Sequence, residues 1–402
     1  MTVLTQAPTD AGPSGPASGP PAVSALRLSA FAGHRGATLP LGPFTLVTGA
    51  SGSGKSSALR AYEVLARLAS GAALAEAVPD PHACVPEWAR SDRQGRRGFR
   101  IGCAVAGPVG RVRLDLAVQV EPELRIAGER LTLGDMVLME SALRDPGRRT
   151  VQAAWHTAGS APVTRAPLPD DRLATALLPL RVAGKTDGQR SVLAAAEQVV
   201  LALRSSYACD PQPSRMRAPV ASGSGRLLRG CDNLADVLRR TRAECGKRHA
   251  QLVAAARTGC SGAVTDVRVE GAADGTLRAV LDRGACAGTP LARLGEGELR
   301  YLALSLVLLT GPGVLAVDQV SEVPSALQPL TVVADGFDRG LDRRQREELL
   351  RLAARMCARG HIRLLATVGE EAAGAGPADG ATVVDLGRDR EGTERHERQE
   401  RP

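Results

Sequence analysis

A layered α/β fold, a mixed sheet flanked by helices, is predicted by three stretches of this 402-residue chain. The first is a glycine-rich loop, Gly49–Ser56, set between an apolar run, Phe44–Thr48, and a segment with helical spacing, Ser57–Leu68. The second is a continuous apolar run, Leu330–Ala334, that ends in Asp335. The third is another such run, His361–Thr367, reached through a helical pattern from Arg343 to about Ala358. Short apolar runs that alternate with helical periods are the pattern of strands buried on both faces under helices.

Taken in order, residues 1–22 are Pro, Ala, Gly, Ser and Thr with almost no apolar bulk, and are expected to stay disordered. Ser24–Phe31 reads as a strand, with Leu26, Leu28 and Phe31 apolar and Arg27 outward. A turn at Gly33–Gly36 leads to the strand that enters the glycine-rich loop. That loop, Gly49-Ala50-Ser51-Gly52-Ser53-Gly54-Lys55-Ser56, is the G-x-x-x-x-G-K-S phosphate cradle, in the strand–loop–helix context it requires. Glycines let backbone N–H groups turn inward onto phosphate oxygens, and the first turn of the following helix, with Ser57, adds its own unpaired N–H groups. Lys55 can reach the outer phosphates as a point charge, and the Ser56 hydroxyl can ligand Mg²⁺. Leu59, Tyr62, Leu65 and Leu68 space the helix, which should end near Gly71.

Residues 79–100 form a polar loop carrying Arg93, Arg96, Arg97 and Arg100. Phe99–Val105 and Gly110–Val120 read as two strands around a Gly-Pro-Val-Gly turn, with Gln119 in the second. The stretch from 130 to 290 has the weakest signals. Gly188–Leu203 has helical spacing, and Asn233–Ala256 reads as a second amphipathic helix preceded by Asp232 as a cap. Val264–Glu270 and Leu277–Leu281 read as a hairpin around Asp274-Gly275. Leu294-Gly295-Glu296-Gly297-Glu298 then precedes a helix bearing Leu299, Leu302, Leu306 and Leu309. After Asp335 comes Gly336-Phe337-Asp338-Arg339-Gly340-Leu341-Asp342, a turn before the next helix. Ala381–Leu386 is the last strand, and the tail from Gly387 is of mixed charge.

Composition narrows the function classes. The chain is 44% hydrophobic but only 2% aromatic, so its core must be built from Leu, Val and Ala and it lacks the stacking platforms of single-strand binders. No run of about 18 apolar residues suggests a membrane span, and the N-terminus lacks the pattern of a secretory signal. Eight cysteines without a C-x-x-C pair argue against a zinc site or a disulfide scaffold and for a reduced, cytoplasmic setting. The formal charge of +8 makes nucleic acid one candidate partner, on charge alone.

The order of these motifs resembles an ABC-type ATPase of the RecF/SMC-like branch, as found among bacterial AAA family ATP-binding proteins. The resemblance covers about residues 24–386 and rests on the P-loop, the L-x-x-G-E signature before a helix, the apolar strand ending in Asp335 and the Gly340-Leu341-Asp342 turn. It implies a P-loop fold of the ABC-ATPase type with a helical lid insertion. The implied division is a disordered segment 1–22, an N-terminal half of the ATPase core 23–130, a lid with hairpin 131–290, a C-terminal half 291–386 and a charged tail 387–402. It implies Asp335 as the Walker B acid that, with Ser56, holds Mg²⁺, in preference to the alternative Asp318. Gly295, Gly297 and Glu298 are implied to meet the γ-phosphate of ATP held by a second subunit, in an ATP-dependent homodimer with an unknown protein effector. A glutamine after the first strand pair, here Gln119, is the implied sensor of Mg²⁺ and γ-phosphate. Cys209–Pro213, Met216-Arg217 and Asp232–Leu234 match a recurring lid pattern.

Three positions depart from that family. Gly295 stands at the signature serine, Gly336 at the glutamate that orients the attacking water, and Val368-Gly369 where a switch histidine is usual. The expected function is therefore Mg²⁺-dependent ATP binding with slow hydrolysis, Asp338 being the nearest replacement carboxylate. Two other classes stay open. One is a P-loop kinase or phosphotransferase using Arg215, Arg217, Arg226 and Arg229 as a lid; the other is an interaction protein that binds ATP without hydrolysing it.

Overall fold

The computed structural model describes residues 19–157, 163–311, 313–315, 330–360, 362–370 and 380–387. A hairpin of β1 (Ala22–Phe31) and β2 (His34–Pro40) leads to β3 (Phe44–Thr48), then α1 (Lys55–Ala69) and the short α2 (Leu74–Ala77). An antiparallel series follows: β4 (Arg97–Gly107), β5 (Gly110–Glu121), β6 (Arg125–Leu133), β7 (Met136–Ala142), β8 (Thr150–His156) and β9 (Val163–Pro169). Next come α3 (Ala174–Leu177), α4 (Asp187–Arg204), β10 (Ser206–Cys209), α5 (Pro213–Met216), β11 (Val220–Ala221), α6 (Leu234–Glu244) and α7 (Gly246–Gly259). The chain continues through β12 (Asp266–Gly271), β13 (Thr276–Arg283), β14 (Cys286–Pro290), α8 (Glu296–Leu309), β15 (Leu330–Ala334), α9 (Arg343–Ala358), β16 (Ile362–Thr367) and β17 (Thr382–Asp385).

The centre is a five-stranded parallel sheet in the order β10-β15-β16-β3-β17. Its three central strands, β15, β16 and β3, are buried on both faces, and the side-chain period of two divides them between two cores. Val47, Val333 and Leu365 point to one core, where α1 and α4 fill the space up to a second sheet. Leu46, Val332 and Leu364 point to the other, against α6 to α9. The second sheet is eight-stranded and antiparallel, in the order β2-β1-β4-β5-β6-β7-β8-β9. Few aromatics serve these cores, but they are well placed: Phe31 and Phe99 meet edge to face at 5.3 Å. The α/β class with a mixed set of strands flanked by helices is the one expected.

The stretch 131–290 is more divided than the expected lid with hairpin. Its helical part, α6 and α7, and its hairpin, β12 with β13, are present. Residues 136–169, however, add β7, β8 and β9 to the antiparallel sheet, α4 packs between the sheets, and β10 is an edge strand of the parallel sheet. The signal in β8 is an alternation in which Val151, Ala153 and Trp155 face inward. In β9 prolines and an arginine hide it, as suits a sheet edge that donates few bonds. The single helix expected over Asn233–Ala256 breaks at Cys245, whose φ of −149° is not helical. Ala22, expected in the disordered segment, already pairs with Ala106; residues 1–18, the tail beyond Gly387 and the alternative acid Asp318 lie outside the described residues.

Candidate nucleotide site

Strand register builds the site. β16 lies between β3 and β15, with Thr367 opposite Val47 and Ala334 opposite Ala366. The residues that follow β3 and β15, the P-loop and Asp335, therefore emerge side by side at the carboxyl edge of the sheet, where open α/β sheets bind ligands.

The P-loop needs its glycines. Gly49 has φ +138° and a Cβ there would lie 2.8 Å from Ser53 Oγ; Gly54 has φ +97° and a Cβ would lie 2.6 Å from His34 Nε2. Buried His34, on β2, supports the loop from beneath, with Nε2 3.0 Å from the Gly54 carbonyl oxygen. No motif pointed to it. Ala50, Ser51 and Gly52 are exposed, Ser53 is buried, and α1 opens at Lys55 with Ser56 and Ser57 in its first turn. Lys55 Nζ donates to the carbonyls of Gly49 (2.5 Å) and Ala50 (2.9 Å), so its ammonium lies across the loop.

Ser56 Oγ donates to Asp335 Oδ1 at 3.1 Å. Thr367 Oγ1 donates to the same carboxylate oxygen at 2.6 Å and accepts from Gly336 N at 2.7 Å. These residues are 279 and 32 positions from Asp335 in sequence, so the junction is a product of the fold. Oxygen donors at one edge, one of them a carboxylate, are the set that Mg²⁺ takes from a protein when phosphates and water supply the rest. Among the described residues no group of three or more His, Cys, Asp or Glu could hold a metal by itself.

Across from the P-loop, a cleft of about 400 Å³ opens between Ala50, Ser51 and Lys55 on one wall and Asp338, Arg346 and Glu370 on the other. Asp338 Oδ2 accepts from Gly369 N at 3.0 Å. Glu370, which sequence reasoning missed, lines the same cleft; nothing around it in the sequence marks it. Gly336 is more than a missing side chain. Its φ is +61°, and a Cβ would lie 2.8 Å from Arg339 Nε.

The signature turn is built elsewhere. Gly295 is the N-cap of α8, and the Glu298 carboxylate accepts from Gly295 N at 3.1 Å and from Ser261 N at 2.7 Å. A Cβ on Gly297 would lie 2.4 Å from the Gly340 carbonyl oxygen, so α8 is pressed onto the Gly340-Leu341-Asp342 turn. Arg217 Nη1 donates to the carbonyls of Ala292 and Leu294 at 2.7 Å each, directly before the signature glycine. Buried Arg300 on α8 donates to the Pro211 carbonyl at 2.6 Å and to the Gly336 carbonyl at 3.0 Å. Cys209–Pro213 and Arg217 thus brace the signature turn, and Arg300 ties it to the segment after β15. Asn233, not Asp232, is the N-cap of α6.

Two expected groups lie apart from this arrangement. Buried Gln119 donates from Nε2 to the Glu123 carbonyl at 3.2 Å, at its own strand end. Three of the four arginines expected of a phosphotransfer lid make internal bonds: Arg217 as above, Arg215 to Asp232 at 3.5 Å, and Arg229 with two bonds to Glu63 at 2.8 and 3.1 Å.

No protein-family model matches the chain, and no curated protein matches it. Solved structures of similar shape include a SmcHead bound to the C-winged helix domain of ScpA, 12% identical, covering 88% of this chain and 91% of that one, with a TM-score of 0.44. The SMC head domain from Thermotoga maritima is 11% identical over 90% of this chain and 94% of that one, with a TM-score of 0.42. An Smc head domain with an extended coiled coil bound to the C-terminal domain of ScpA, derived from Pyrococcus furiosus, is 10% identical over 94% of this chain and all (100%) of that one, with a TM-score of 0.41. The fold reading stands on the strand order and the site geometry described above.

Proposed function

We propose that this protein is an ABC-type P-loop ATPase that binds ATP with Mg²⁺ and uses it to close a homodimer. The observation that carries the reading is the junction of Ser56, Asp335 and Thr367 beneath the P-loop. Ser56 and Asp335 would hold Mg²⁺, directly or through water, and the ion would supply positive charge at the outer phosphates. Lys55 swings from its loop carbonyls to those phosphates, and the loop N–H groups with the α1 N-terminus cradle them. The signature turn supports the dimer. Gly295–Glu298 contributes nothing to the cleft at the P-loop of its own chain, and a second copy placed head to tail would present it there.

Hydrolysis is slow in this reading, because Gly336 cannot orient water and, among the described residues lining the cleft, Asp338 and Glu370 are the candidate bases. A second reading, ATP binding without hydrolysis, is favoured by the left-handed backbone of Gly336 facing Arg339. A cytoplasmic setting rests on eight free thiols. No helix among the described residues is long and apolar enough to cross a membrane.

The test is light scattering with a non-hydrolysable ATP analogue, beside steady-state phosphate release. The wild type dimerises with the analogue, Lys55→Ala loses nucleotide affinity and the dimer, and turnover stays below about one per second. A chain that stays monomeric with saturating analogue refutes the dimer. Dimerisation without any phosphate release selects the second reading.

A further inference from the structure

The cleft opposite the P-loop contains a second cation besides Lys55, the guanidinium of Arg346. Arg346 sits one turn into α9, and side chains on a helix lean toward its N-terminus, here toward the turn that carries Asp338. Its Nε is buried and donates to no acceptor among the described residues. Two other arginines of α9 are paired: Arg343 with Glu347 at 2.9 Å and Arg351 with Glu347 at 3.2 Å. A buried donor left unpaired is costly, so its place on the wall of a phosphate cleft asks for an acceptor from outside the chain. The position selects which acceptor. The Mg²⁺ pole of the site lies at Ser56 and Asp335, whereas Arg346 shares its cleft with Ala50, Ser51 and Lys55, the outer lip of the loop.

We propose that Arg346 binds the terminal phosphate of the bound triphosphate from within the same chain, so that this chain reads ATP against ADP before any second copy arrives. This rests on the nucleotide-site reading above. A planar guanidinium suits a phosphate by offering two parallel donors.

The experiment measures Kd of the full chain for Mg²⁺-bound non-hydrolysable ATP analogue and for Mg²⁺-bound ADP, in the wild type, Arg346→Ala, Arg346→Lys and Lys55→Ala. The expected result is a loss of about 10- to 100-fold for the analogue in Arg346→Ala, with ADP affinity within about twofold and partial recovery in Arg346→Lys. Retained ADP binding also shows that the variant is folded. Equal losses for both nucleotides would make Arg346 a structural residue and overturn the proposal, as would no loss for either. Failure of the underlying reading looks different: the wild type binds neither nucleotide, or Lys55→Ala binds both as well as the wild type does.

Discussion

Gly336 is the residue on which the reading of this site turns. A glycine where a catalytic carboxylate is usual looks like a simple deletion, one that a single substitution could reverse. The backbone says otherwise, because φ is +61° and the space a Cβ would need is 2.8 Å from Arg339 Nε. A left-handed conformation costs a non-glycine residue about 1–2 kcal/mol. Gly336→Glu is therefore expected to lower stability by about that amount in urea denaturation and to leave phosphate release slow. A fast, undiminished enzyme would show that the backbone relaxes and that the missing carboxylate was the whole deficit. His34 carries the opposite lesson: it packs against Gly54 from another strand, and no local spacing announces it.

At the scale of elements, the first turn of α8 is held by close approach. Gly297 touches the Gly340 carbonyl, and Gln345 of α9 donates to the Gly259 carbonyl at 2.8 Å. A methyl group at 297 must push α8 away from the turn. Gly297→Ala is expected to bind the ATP analogue as the wild type does but to lose analogue-driven dimerisation in light scattering. Another element depends on pH. Glu129 on β6 is buried and accepts from the backbone N–H groups of Ala174 and Thr175 at 2.7 Å each, at the start of α3. Burial raises its pKa to about 7, and the bonds from Thr175 and Ala174 oppose that rise without cancelling it. The folded state then holds a proton that the unfolded chain, with an ordinary carboxyl near 4.3, has already released. Stability is fully present below that ordinary value and is lost as pH rises toward about 7. The melting temperature should fall across that window, and Glu129→Gln should flatten the slope; an unchanged slope would remove Glu129 as its source.

For the whole molecule, the charge of +8 is the one argument for a nucleic-acid partner. If duplex DNA is bound, log Kd should rise steeply and linearly with log salt, since each neutralised phosphate releases counterions. Absence of binding at low salt would remove that reading and leave the nucleotide site untouched.

Much of the fold was legible in the chain. β3, β15, β16 and α9 were readable because central parallel strands and an amphipathic helix carry dense, regular apolar patterns. The P-loop was readable because phosphate chemistry permits few residue types at that spacing. Residues 131–290 were not, because β7 to β9 and β10 gain their stability from pairing with strands far away in sequence, and edge or half-exposed strands need little hydrophobic signal of their own. What the sequence by itself determined was the phosphate cradle, the acid after β15 and the turn before α9, each written in consecutive residues. Only the tertiary structure decided that Ser56, Asp335 and Thr367 share one junction, that Arg346 and Glu370 face Lys55, and that Arg217 and Arg300 brace the signature turn. Those are matters of strand order and helix packing, and they join residues whose separation along the chain leaves no trace in local pattern.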